Sequence, residues 1–214
     1  MQPANPEGRV IINTPAVLEI RIHLENGQVA IFVQDDPVIA REILETLHPN
    51  HLFSAPRPLT APQLLIGSDH ILTAFQPRLV VRVDLITELE PSWASSAVAL
   101  NTREITEEEF DVRYQPNRDV QRLPSEEIVV FGVCQMVDGA RIFLQTHLTG
   151  LEEKRLPQEV SLLLHKVMTS GGILARGRKT GYIVLNPARM LHYTSYVGLQ
   201  EMPANALLMR QLID

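Results

Sequence analysis

The sequence predicts an α+β fold, built mainly from antiparallel sheets with about three helices. Three observations carry that expectation. Ala16–Gln34 and Ile128–Leu148 each read as strand, two-residue turn and strand, with Asn26-Gly27 and Asp138-Gly139 at the turns. Two apolar stretches at helical spacing open on Pro37 and near Pro157. Leu79–Ile86 and Met190–Tyr196 are strands that follow the turns Gln76-Pro77-Arg78 and Asn186-Pro187-Ala188-Arg189.

The first hairpin organises the chain. Leu18, Ile20, Ile22 and Leu24 alternate with Glu19, Arg21, His23 and Glu25, and strand side chains point to opposite faces in turn. Asn-Gly supplies the two positive φ angles of a type I′ turn. On the return arm Val29, Ile31 and Val33 alternate with Gln28, Ala30, Phe32 and Gln34. Residues 1–15, rich in Pro and Asn, read as a loose arm leading in.

Asp36 caps a helix whose first position, Pro37, needs no N–H. Ile39, Ala40, Ile43, Leu44 and Leu47 form its apolar stripe, and it ends near His48-Pro49-Asn50. Residues 49–62 read as a loop. Residues 63–75 form a second hairpin around Gly67-Ser68-Asp69, and Leu79–Ile86 is a strand with Val81, Val83 and Leu85 on one side. Between 88 and 127, Trp93 anchors a loop or a strand start. Thr106-Glu107-Glu108-Glu109 has the form of a capping box, but Phe110, Val112 and Tyr114 alternate with Asp111 and Arg113, and the alternation predicts a strand. Residues 115–126, polar and Pro-containing, are the candidate linker.

The second hairpin with an Xaa-Gly turn follows from Ile128. The helix over Pro157–Thr169 buries Val160, Leu163, Leu164, Val167 and Met168, and Gly171-Gly172 ends it. A basic turn leads to strands over Gly181–Asn186 and Met190–Tyr196. The two halves, 16–114 and 127–214, thus share the order of a ββαββ unit. Offsets of 112 (Gly27 to Gly139), 120 (Pro37 to Pro157) and 110 (Pro77 to Pro187) are those of an old duplication; chance recurrence of hairpins and helices is the alternative.

Composition bounds the function. The 214 residues are 45% apolar and 21% charged, as in a soluble globular protein. The net charge of −6 argues against nucleic-acid binding, which needs a basic surface. The charge is uneven: residues 1–110 hold 7 Lys+Arg against 15 Asp+Glu, and residues 111–214 hold 12 against 10. Cys134 is the single cysteine, so neither an internal disulfide nor a Cys-rich zinc site is available; its place in an apolar strand marks a buried, inert thiol. MQPANPEGR lacks the apolar core of a secretory signal, and no apolar run spans a bilayer. These point to a cytoplasmic protein with no membrane partner.

Few motifs in the sequence carry catalytic chemistry. His48 and His51 have helical metal spacing, but Pro49 interrupts it and no Asp, Glu or Cys completes the set. Ser68-Asp69-His70 are too close in sequence to converge as a hydrolase triad. The acidic runs Glu107–Glu109 and Glu152-Glu153 read as solvated. His192 and the run Tyr193–Tyr196 split between two strand faces. The most suggestive stretch is 171–181, with four glycines and the cations Arg176, Arg178 and Lys179. Guanidinium forks and exposed amides hold phosphates and carboxylates, so these three residues are the candidate anion site. The spacing matches neither a P-loop nor a dinucleotide fingerprint, and a plain hairpin tip is the competing reading. No catalytic residue, metal site or cofactor is predicted. The expected function is binding or assembly, with a homodimer as the partner state. The alternative is an enzyme holding a small anionic substrate in a crevice between the halves.

Overall fold

The computed structural model describes residues 16–53, 64–68, 71–95, 101–114, 128–148 and 155–196. The arm 1–15, the linker 115–126, Asp69-His70 and Glu152-Glu153 lie outside them.

The fold is α+β, with eleven strands and four helices among the described residues. Strands β1 (Leu18–Leu24) and β2 (Val29–Gln34) form the first hairpin, with Gly27 at φ +81°. Helix α1 (Pro37–Thr46) is capped by Asp36, which accepts from the Val38 and Ile39 amides at 2.8 and 3.1 Å. Pro49 opens a further short helix, α2 (Pro49–Leu52), inside the stretch expected as loop. The reason is local: Pro49 pre-sets a helical φ, and His48 Nδ1 accepts from the Asn50 amide as a cap. Next come β3 (Leu65–Ser68), β4 (Ile71–Ala74), β5 (Val80–Thr87) and β6 (Thr102–Ile105).

Residues Glu107–Arg113 form helix α3, not the strand that alternation predicts. The capping box is complete: Thr106 Oγ1 accepts from the Glu109 amide at 3.1 Å, and Glu109 Oε2 accepts from the Thr106 amide at 3.0 Å. Those two bonds satisfy orphan N–H groups that a strand would have to pair elsewhere. Val112, half of the apparent alternation, is 79% exposed, while Phe110 is buried and stacks on Tyr114 one turn later.

The second half supplies β7 (Ile128–Met136), β8 (Arg141–Leu148), α4 (Leu156–Thr169), β9 (Ile173–Arg176), β10 (Tyr182–Leu185) and β11 (Met190–Tyr196). Strand β9 lies inside the stretch expected as a basic turn, so the turn proper is Gly177–Gly181. The glycines after α4 act differently from a left-handed cap. Ser170 is the C-cap, and a side chain on Gly171 would overlap the Asn50 carbonyl, while one on Gly172 would lie 2.6 Å from the Pro49 oxygen. They let α2 sit on the chain as it enters β9.

Nine strands form one sheet in the order β11-β7-β8-β6-β9-β10-β5-β1-β2, and β3–β4 stand apart as a two-stranded sheet. Among the described residues all strand pairings are antiparallel except β6 with β9. Strands of the two halves interleave, β6 lying between β8 and β9, and β10 beside β5.

Helices cover both faces. On one, α1 and Trp93 pack over Ile20, Ile22, Val83, Leu85, Tyr182 and Val184. Trp93 sits in a 3-10 turn (Ser92–Ser95) and donates its indole N–H to the Leu44 carbonyl at 2.8 Å. Further along this face Phe110 of α3 packs with Phe131 and Phe143. On the other face α4 covers the β7–β8 end, Val160 against Ile128 and Val130, and Val167 with Cys134 and Leu144. Met168, expected in the α4 stripe, is exposed, as is Ile39 in the α1 stripe.

Equivalent turns recur at matching places. The turns are not the two-residue type I′ turns that the sequence predicts: the Gly27 and Gly139 amides bond to the Leu24 and Met136 carbonyls, so each loop has three residues with its glycine last, at φ +81° and +88°, the place of a bulge glycine. Pro77–Leu79 and Pro187–Arg189 are both 3-10 turns leading into β5 and β11, which pair with the first strand of their hairpins. The two turns meet: the Asn186 side-chain amide donates to the Pro77 and Val80 carbonyls at 3.0 and 2.7 Å.

Candidate functional site

Charged side chains collect along the middle of the sheet, on both faces. Residues directly opposite on paired strands share a face, so register locates them. On the face that α4 leaves open over β1 and β5, His23 Nε2 lies 2.9 Å from Asp84 Oδ2. Arg82 bonds through Nε to the other oxygen of Asp84 and grips Glu104 with both terminal nitrogens, at 2.7 and 2.9 Å. Arg178 Nε adds a contact to Glu104 at 3.4 Å. The result is an ionic chain across β1, β5 and β6 that reaches the β9–β10 turn.

Its burial is considerable. The side chains of Arg82 and Asp84 are 13% exposed and that of Glu104 only 4%. Burial by itself would raise the Asp84 carboxyl. The hydrogen bond from His23, with the charge and hydrogen bond of Arg82, outweighs it and holds Asp84 below the ordinary carboxylate value. The sign for stability follows. A depressed folded-state pKa adds stability that is complete above the unfolded value, about 3.9, and is lost as pH falls through the folded value. Urea unfolding at pH 7 and pH 3 is therefore expected to show an acid loss that is smaller in Asp84→Asn than in the wild type. Equal losses would show that Asp84 is not part of the acid response.

The opposite face carries a second row. Phe131 of β7 stands opposite Gln145 of β8, Gln145 opposite Arg103 of β6, Arg103 opposite Arg176 of β9, and Arg176 opposite Tyr182 of β10. Gln145 Oε1 accepts from Arg103 at 3.0 Å and from Arg113 of α3 at 2.9 Å. Its amide nitrogen lies 2.7 Å from His147 Nε2. Arg176 lies over the Tyr182 ring, 5.7 Å from its centroid, with Glu90 at 3.5 Å.

The three predicted anion-site residues therefore have separate surroundings. Arg176 engages Tyr182 and Glu90, and Arg178 engages Glu104. Lys179 is exposed in the β9–β10 turn. Arg103, Arg113 and Gln145 escaped sequence reasoning. Arg103 sits in a four-residue strand, too short for alternation to mark, and its neighbours come from β8 and β9, more than forty residues away.

The remaining candidates are simpler. The His48 and His51 rings lie 5.2 Å apart, and no group of three His, Cys, Asp or Glu able to hold a metal occurs among the described residues. Cys134 is buried, and burial pushes its thiol up to about 12. The Tyr193 phenol lies over Gly132, where a side chain would overlap it, and burial beside Cys134 raises its pKa. No helix among the described residues is long and apolar enough to cross a membrane.

Comparison with protein-family models, with curated proteins and with solved structures found no match.

Proposed function

We propose that this chain is a non-catalytic binding or assembly protein of the cell interior that works as a homodimer, two copies joining along β2. The observation that supports this reading is the β2 edge of the sheet, which has no neighbouring strand beyond it among the described residues. Strand β2 ends the nine-stranded order, and Val29, Ile31 and Val33 are 45%, 57% and 63% exposed. Register accounts for the exposure. Val33, Ile31 and Val29 stand opposite Glu19, Arg21 and His23, so the apolar stripe of β2 shares the charged face of β1. Ala30 and Phe32 take the core side. Around the same edge α1 exposes Val38 and Ile39, and β3–β4 expose Leu65, Ile71 and Leu72. Ile31, Val33, Ile39 and Leu65 line one groove of about 690 Å³.

An exposed apolar edge is a template for strand pairing, and a long one left bare promotes aggregation. A second copy supplies a matching edge, and an antiparallel twofold closes both at once. Size exclusion with light scattering is expected to give twice the 24.0 kDa chain mass at micromolar concentration, little changed by salt. Ile31→Lys should weaken the dimer by at least about tenfold, or 1.4 kcal/mol. A single-chain mass for the wild type, unchanged on concentration, would refute the reading. A dimer that loosens in salt would favour contact between the −8 and +2 halves instead.

The halves are, on this reading, products of one duplicated ββαββ unit. The matched hairpin turns, the paired 3-10 turns and the contact between Asn186 and Pro77 support it. The enzyme reading, with an anionic substrate between halves, draws its support from the arginine row.

A further inference from the structure

Arg103 is a cation whose bonding is incomplete. Its Nε is shut off from solvent and has no hydrogen-bond partner. Among the described residues Arg103 has no carboxylate partner, and its one side-chain hydrogen bond goes to Gln145 Oε1. That oxygen also takes a bond from Arg113. The two guanidinium groups therefore lie within two hydrogen-bond lengths of each other, sharing one neutral acceptor. An amide oxygen carries only a partial charge, whereas guanidinium forks are matched to oxyanions with two acceptor oxygens.

A third cation adjoins. Arg176 stands opposite Arg103 on the next strand, and like charges in that relation destabilise a sheet. Arg176 and Arg113 each have a carboxylate neighbour, Glu90 at 3.5 Å and Glu109 at 3.2 Å, whereas Arg103 has none among the described residues. The row runs between apolar walls, with Phe131 and the Phe110 cluster at one end and Tyr182 and Trp93 at the other. Low-dielectric walls strengthen the attraction for an incoming negative charge.

We propose that Arg103, with Arg113 and Arg176, binds the oxyanion group of a small molecule, a carboxylate or a phosphate. Gln145 holds the two forks together when the site is empty and yields its place to the anion. This site stands apart from the β2 edge and does not depend on dimerisation.

The test is isothermal titration of the full-length chain with inorganic phosphate and, separately, with succinate, at matched ionic strength. Saturable binding is expected in at least one arm, and the arm that binds identifies the oxyanion. Arg103→Gln should weaken it at least tenfold. Arg103→Lys, which keeps the charge but loses the fork, should weaken it less. Arg141→Gln, which alters an exposed pair with Glu107, should leave it unchanged. The side-chain Nε–Hε NMR signal of Arg103 reads the wild-type site directly and should move saturably with ligand, so a misfolded variant does not block the test. Absence of binding in both arms, an unmoved Arg103 signal, or full binding by Arg103→Gln would overturn the proposal. Loss of binding in Lys179→Gln but not in Arg103→Gln would overturn it in favour of the β9–β10 turn.

Discussion

Gly181→Ala is expected to destabilise the fold by about 3 kcal/mol or more, the scale of severe overpacking combined with backbone strain. Gly27→Ala, at nearly the same backbone angle, should cost only about 1 kcal/mol. The two glycines have φ of +80° and +81°. Their surroundings differ. A side chain at Gly27 meets open space. One at Gly181 would overlap the Leu85 carbonyl and come 2.9 Å from the Thr87 amide. Those are backbone atoms of β5, next to β10 in the sheet, and they cannot move without disturbing the ladder. Gly181 therefore sets how closely the β9–β10 hairpin approaches β5. Urea denaturation of both variants decides the point. Equal losses would mean that the approach is softer than its geometry implies.

Glu104→Ala should cost about 3–5 kcal/mol, the penalty for leaving one partner of a buried ion pair uncompensated. Arg82 would lose both bonds of its fork, and with its side chain 13% exposed it has little water to replace them. Among the described residues Asp84, through its Arg82 contact, would remain as the counter-charge on that side. Glu104→Gln should lose less, because one acceptor oxygen survives. Arg82→Met combined with Glu104→Leu should recover part of the loss but not all, since Asp84 then keeps only His23. Chemical unfolding with an unchanged m-value reads these differences. A loss below about 1 kcal/mol for Glu104→Ala would place the pair among exposed salt bridges.

Local rules determined what is local in this protein. The hairpins closed at Gly27 and Gly139, though by three-residue loops and not by two-residue turns, the Asp36 cap with Pro37 behind it, and the strands around Pro77 and Pro187 all follow from residues within a few positions of one another. Where two local rules competed, at 106–114, the capping box prevailed over alternation, because its two hydrogen bonds form without any partner strand. Tertiary structure alone decided which faces are covered and which strands are neighbours. Val29, Ile31 and Val33 look like a core stripe in isolation, yet pairing with β1 places them beside Glu19, Arg21 and His23. Arg82, Asp84 and Glu104 stand on short or ordinary strands, yet the sheet order lets the Arg82 fork reach Glu104 across β9 and β10, and the three side chains are largely withdrawn from solvent. Arg103 meets Arg176 only because β6 and β9 run parallel across a separation of more than seventy residues. The physical reason is one of range: caps and turns satisfy backbone groups near in sequence, whereas burial, ion pairing and the arginine row depend on contacts that form only when distant strands share a sheet.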